Sequence, residues 1–103
     1  MDNSLLLYEQ QYFYKVCLLR ITVECKSKKL KETKNLLDLY LKINPKFENT
    51  INCKFLKNII TVIDDDVTNK NSQEFHQLIF KHDTSVKIPS DELILLNKIR
   101  NSL

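Results

Sequence analysis

The sequence predicts an all-α protein, and three observations carry that reading. Its 103 residues include no glycine, which removes the usual residue of the tight turns that join hairpin strands. Apolar side chains recur at steps of three and four along every long segment, the period of a helix face. Polar breaks, two of them carrying the prolines Pro45 and Pro89, cut the chain into helix-length pieces.

Five main helices follow in order. The first spans roughly Ser4 to Lys26, capped by Asn3 or Ser4. It places Leu5, Tyr8, Tyr12, Val16, Leu19 and Val23 on one inward stripe, widened by Phe13, Cys17 and Ile21. Its central part is rich in β-branched and aromatic residues, yet its length and spacing are helical. The basic linker Lys26-Ser27-Lys28-Lys29 leads to a second helix over about Leu30 to Ile43, with Leu36, Leu37, Tyr40 and Leu41 on one face. Asn44-Pro45 ends it, with Asn44 standing in for a C-terminal glycine. The third helix runs from about Thr50 to Ile63, capped by Asn49, and buries Phe55, Leu56, Ile59, Ile60 and Ile63. Asn71 or Ser72, with Glu74, caps a short fourth helix reaching about Lys81 and turning Phe75, Leu78 and Ile79 inward. Pro89-Ser90-Asp91-Glu92 opens the fifth, whose stripe of Leu93, Leu96, Ile99 and Leu103 is expected to pack back on the third and fourth. The first four helices pair as two antiparallel hairpins of roughly forty residues, the unit of an α-solenoid or a small bundle.

Composition narrows the function classes. With 43% apolar and 28% charged residues, the chain reads as one globular domain, residues 1–103. The lack of glycine excludes a phosphate-cradling loop, a dinucleotide fingerprint and a strained nucleophile turn, each of which needs a residue without a side chain. A net charge of +3, from 16 basic and 13 acidic residues, is too mild to argue for nucleic acid. A nucleic-acid binder would also expose aromatics among its lysines, whereas Tyr8, Tyr12 and Phe13 are placed in the buried stripe. Three cysteines, Cys17, Cys25 and Cys53, cannot all pair within one chain, and no secretory signal is visible, so reduced thiols in a cytosolic setting are expected. No apolar run approaches the length of a membrane span.

The candidate sites are charged rather than catalytic. His76, His82 and the three cysteines are the only soft metal ligands, and their spacings match no zinc pattern. Ser72, His76 and Asp83 can be written as a triad, but there is no turn to present the nucleophile and no oxyanion donor cluster. Neither a metal, a cofactor nor catalysis is expected. Lys15, Lys54 and Lys57 lie on helices, and Lys26, Lys28, Lys29, Lys31 and Lys34 cluster at one turn. They form either a solvated face or a surface for an anionic protein or lipid partner. Asp64, Asp65 and Asp66 stand at a helix C-terminus, where the macrodipole is already negative. Three consecutive carboxylates diverge on a helix and cannot share a calcium ion, so a patch for a basic partner explains them better.

Four stretches resemble the carboxyl-terminal third of the soluble NSF-attachment proteins, the adaptors between SNARE bundles and the N-ethylmaleimide-sensitive fusion ATPase. Met1 to Tyr8 and then Tyr12-Phe13-Tyr14-Lys15 are similar to the family's M-D-S-P-L-L-K-Y and Y-F-F-K. Asn44-Pro45-Lys46-Phe47 resembles F-P-A-F, and Cys53-Lys54-Phe55-Leu56-Lys57 resembles C-K-L-M-K. The ending, from His82-Asp83-Thr84 to Leu96-Asn97-Lys98-Ile99, resembles Y-D-S and L-L-R-I. The likeness covers essentially the whole chain in register, and is nearer to the α-type than to the γ-type member.

This resemblance implies a TPR-like α-solenoid end closing into a small C-terminal helical bundle, and a cytoplasmic, membrane-peripheral adaptor without catalysis or cofactor. It implies a basic face toward the acidic SNARE bundle, to which Lys15, Lys54 and Lys57 are assigned. Binding there would be weak, because Met1 aligns with an internal methionine and the chain is expected to be the C-terminal fragment of a longer protein. It also implies an acidic surface toward the N-domains of the ATPase. Glu24 falls where the family has an aspartate, Asp64 and Asp65 fall on a glutamate pair, and Asp66 extends the run. The alternative is a generic helical-repeat interaction module with no link to membrane fusion.

Overall fold

A computed structural model describes residues 3–27, 29–64 and 71–102. The described residues form α1 (Asn3–Glu24), α2 (Lys31–Ile43), α3 (Ile51–Asp64), α4 (Asn71–Ser85) and α5 (Ser90–Asn101), with 3-10 turns at Cys25–Ser27 and Pro45–Asn49. The all-α expectation holds. The molecule measures 48 × 28 × 20 Å. A helix with its side chains is about 10 Å across, so the short axis admits two layers of helices.

The breaks between helices have local causes, several of them different from those the sequence suggests. Asn44 adopts φ −130° and ψ 76° rather than the left-handed conformation of a glycine-like cap. Its N–H donates to the Tyr40 carbonyl at 2.7 Å, and Pro45 then starts the 3-10 turn from its first position. The cap of α3 is Thr50, not Asn49: its hydroxyl accepts the Cys53 N–H at 3.2 Å and donates to the Phe47 carbonyl at 2.7 Å. Helix α4 runs on past Lys81 to Ser85, and the Asp83 carboxylate accepts the Ile88 N–H at 3.0 Å, tying down the link to α5. There the Pro89 carbonyl accepts the Leu93 N–H at 3.0 Å.

The largest correction concerns α1. Its buried residues are Tyr14, Cys17, Leu18 and Ile21, followed by Cys25 in the 3-10 turn, whereas Tyr8, Tyr12, Leu19 and Val23 are 72%, 73%, 52% and 67% exposed. At about 100° per residue the two sets occupy opposite sides of the helix. Helix α1 is therefore apolar on two faces, and the chain covers only one of them. Helices α2, α3 and α5 all pack on α1. Helix α5 leans chiefly on α1 and then on α4; the fourth helix is an expected neighbour, and α1 takes the place expected of the third. It buries Leu96 and Ile99 but leaves Leu93 partly open.

Aromatic packing locks the α1–α2 corner. Phe13 and Tyr40 stack with centroids 3.9 Å apart, and Phe47 meets both rings edge-on at 5.7 and 5.2 Å. The Glu9 carboxylate accepts from the Tyr40 hydroxyl at 3.3 Å and from the Asn44 amide at 3.2 Å. All three cysteines are free and buried. Burial, and then the neighbouring Cys53, push the Cys17 thiol up to about 12; it stays protonated and chemically inert. Tyr14 is buried with no partner for its hydroxyl among the described residues. Burial, reinforced by Glu92, raises its pKa well above the ordinary phenol value.

Two comparisons test this packing. Leu18→Ala should cost about 2–5 kcal/mol in denaturant unfolding, as for other fully buried leucines, while Leu19→Ala, one residue away on the open face, should cost less than about 1 kcal/mol. Equal losses would refute the orientation assigned to α1. Tyr14→Phe removes a buried hydroxyl without a partner and should be neutral or stabilising by about 1 kcal/mol, read as an unchanged or raised midpoint.

Candidate interaction surfaces

Helix α2 begins without a local cap: Leu30 occupies the N-cap position, and no side chain of that residue can accept a hydrogen bond from the first turn. The acceptor comes instead from α1. One Glu24 carboxylate oxygen accepts the Glu32 N–H at 2.8 Å, and the other accepts the Thr33 N–H at 3.0 Å and the Thr33 hydroxyl at 2.6 Å. An anion is doubly favoured there, by the unpaired amides of the first turn and by the positive end of the helix dipole.

Burial by itself would raise the pKa of Glu24. The Thr33 hydroxyl, the Glu32 and Thr33 amides and the Arg20 guanidinium more than offset it and hold the carboxyl below its usual value. Glu24 is itself buried, and its carboxylate fastens the start of α2 to the end of α1. Sequence reading missed Thr33 altogether. The signal was the missing cap residue before Glu32, which requires an acceptor from elsewhere in the chain.

Chain direction brings the acidic positions to one end. The Glu24–Thr33 contact at one end and the Glu9–Tyr40 contact at the other show that α1 and α2 run antiparallel. Lys34, Leu37 and Asp38 line a groove with Lys57, Ile60 and Thr61, so α2 and α3 are antiparallel as well. The C-terminal ends of α1 and α3, carrying Glu24 and Asp64, therefore share one end of the bundle with the start of α2. The backbone of Asp64 closes α3; its side chain, and the whole of Asp65 and Asp66, lie outside the described residues.

The three lysines assigned to a basic face have different neighbours. Lys15 on α1 pairs with Asp91 at the start of α5 at 2.8 Å, a hydrogen bond that raises the lysine pKa and lowers that of the aspartate. Lys57 pairs with Glu48 of the 3-10 turn at 3.0 Å. Lys54, one turn earlier on α3, points instead into a groove shared with α4. The two histidines are separate too: His76 contacts Arg100 at 2.8 Å, and His82 stacks on Phe55. Among the described residues no group of three His, Cys, Asp or Glu side chains is placed to hold a metal ion.

Antiparallel helices joined by short links and fastened by a cross-helix cap and ion pairs define an all-α, helical-hairpin protein. The chain belongs to the SNAP family: the family model described as Soluble NSF attachment protein, SNAP matches residues 1–103. The family is α-helical and TPR-like, in agreement with the five helices seen here, and its adaptors are non-enzymatic partners of SNARE complexes and NSF. No curated protein and no solved structure matches the chain. No helix among the described residues is long and apolar enough to cross a membrane.

The cap role of Glu24 has a pH signature. Its folded pKa is lowered, so its contribution to stability is complete above the unfolded-state value of about 4.3 and is lost as acidification passes through the folded value. Glu24→Gln should lower stability at neutral pH by about 1–3 kcal/mol, with the gap to the parent closing below about pH 4. Denaturant titrations across pH would expose a gap that persists in acid, which the cap cannot explain.

Proposed function

We propose that this chain is the C-terminal helical portion of a SNAP adaptor. It couples SNARE complexes to the NSF-type ATPase for SNARE disassembly in vesicle fusion and intracellular protein transport, as a cytoplasmic, membrane-peripheral protein without catalytic activity. The observation that carries this reading is the family match along all 103 residues, supported by the gathering of the α1 and α3 C-termini at one end. The acidic run Asp64, Asp65 and Asp66, which begins where α3 closes, is assigned to the basic N-domains of the ATPase, and Glu24 braces the α1 end by holding α2 in place. The acidic run gains no stability from its own helix, whose C-terminal dipole opposes it, and a basic partner supplies the missing counter-charge.

Toward the SNARE bundle the contacts are weaker. Lys15 and Lys57 must exchange Asp91 and Glu48 for carboxylates of the bundle, and only Lys54 starts without an ion pair. The open apolar face of α1 supports a longer parent protein. A solenoid hairpin with an apolar outer side is an internal repeat, since terminal repeats carry polar caps, and a preceding hairpin would cover Tyr8, Tyr12, Leu19 and Val23.

The test is titration of the chain against the isolated ATPase N-domain. Asp64→Lys with Asp65→Lys should weaken binding about tenfold or more at low salt, because attraction turns into repulsion, and the gap should narrow as salt screens both forms. Helicity should be unchanged or higher, since removing acids from a helix C-terminus relieves the dipole. Undiminished binding by the double variant at low salt would overturn the acidic-surface assignment.

A further inference from the structure

Between α3 and α4 lies an open groove of about 280 Å³ lined by Ile51, Lys54, Phe55, Leu78, Lys81 and His82, with Asn58 and Ser85 at its ends. Its floor is an aromatic stack. Phe55 is buried, and the His82 ring stacks on it at 3.9 Å with the planes 6° apart. Burial holds the His82 pKa below its usual value, against the pull of Asp83, so the floor is uncharged near neutrality. Ile51 is left largely exposed beside it, and Leu78 is half-buried.

The walls carry one charge each. Lys54 and Lys81 immediately precede the stacked residues Phe55 and His82, and both line the groove, one from α3 and one from α4. Among the described residues neither forms an ion pair, whereas Lys15 and Lys57 are paired with Asp91 and Glu48. Both lysines line the groove, and a carboxylate held between them is attracted by each.

We infer that this groove docks a single acidic amphipathic helix, with its apolar side chains on Ile51 and Leu78 and its carboxylates between Lys54 and Lys81. The dimensions suit that occupant. Ile51 to Asn58 and Leu78 to Ser85 each span about two turns, roughly 10 Å, the length over which a helix presents anchors at i, i+3, i+4 and i+7. A free anion would leave Ile51 and Leu78 in water. An uncharged apolar helix would leave the two lysines without a counter-charge. A nucleic-acid strand would ask for exposed stacking aromatics, and Phe55 is already covered by His82.

The inference does not rest on the adaptor reading, because the groove is built wholly from α3 and α4 and uses Lys81, which has no part in either proposed surface. Lys54 is shared with the proposed SNARE face. Lys81 and Lys15 therefore separate the two: a groove ligand depends on Lys81, and a broad basic face depends on Lys15.

The experiment uses the isotope-labelled full chain and two synthetic helical peptides of about four turns. Both carry leucines at i, i+3, i+4 and i+7; one has glutamates at the flanking positions and the other lysines. The acidic peptide should shift the amides of Ile51, Asn58, Leu78 and Ser85 and bind tenfold or more tighter than the basic one at low salt. Lys81→Glu should weaken it at least fivefold, Lys15→Glu should not, and Lys54→Glu with Lys81→Glu should reverse the preference toward the basic peptide. Ile51→Ser should weaken both peptides, and circular dichroism checks that each variant keeps its helices. Equal binding of the two peptides, shifts confined to Tyr8 to Val23 of α1, or the same shifts produced by inorganic phosphate at equal concentration would each overturn the proposal. So would equal sensitivity to Lys15→Glu and Lys81→Glu.

Discussion

Tyr14, Cys17, Leu18 and Ile21 leave water together only if several helices close on one side of α1, and α2, α3 and α5 all pack there. Hydrophobic burial is non-directional, so this stripe decides which helices must meet but not how they are oriented. Orientation comes from the polar and aromatic contacts around it. The Phe13–Tyr40–Phe47 cluster sets the α1–α2 corner at one end, the Glu24 cap sets it at the other, and the Lys15–Asp91 pair guides α5 along α1. With both ends of α2 tied, α3 is left one direction to run, and the C-termini of α1 and α3 arrive at the same end.

That shared end holds acids in two opposite electrostatic settings. Glu24 faces the amides of the α2 N-terminus, where a negative charge is stabilised, and it is buried and committed there. Asp64 closes α3, where the backbone carbonyls already supply negative charge. The two positions thus differ in kind: a helix N-terminus favours the charge of Glu24, and a helix C-terminus disfavours a negative charge at position 64.

The uncovered side of α1 follows from the same helix. Its residues satisfy two apolar stripes at once, and a helix apolar all round belongs inside a larger helical stack. Among the described residues α2, α3 and α5 cover only one of the two stripes. The α3–α4 groove is different in nature, being concave and rimmed by lysines rather than flat and apolar, so it selects a ligand by charge as well as by burial.

Helix content, helix order and the places where the chain must turn were all legible in the sequence, because period, proline and polar breaks act over a few residues. The family likeness was legible for the same reason, as short motifs in register. Sequence also marked Asp64 as a residue in a costly position. It could not choose between Leu18 and Leu19, because α1 is apolar on both sides and periodicity is blind to which side has neighbours. It could not assign Glu24, whose partners are amides 8 and 9 residues away on another helix, nor pair Lys54 with Lys81. Those outcomes were decided by tertiary structure alone, since each depends on where a second helix lies, and that position is set by the summed packing of the bundle rather than by any local stretch of chain.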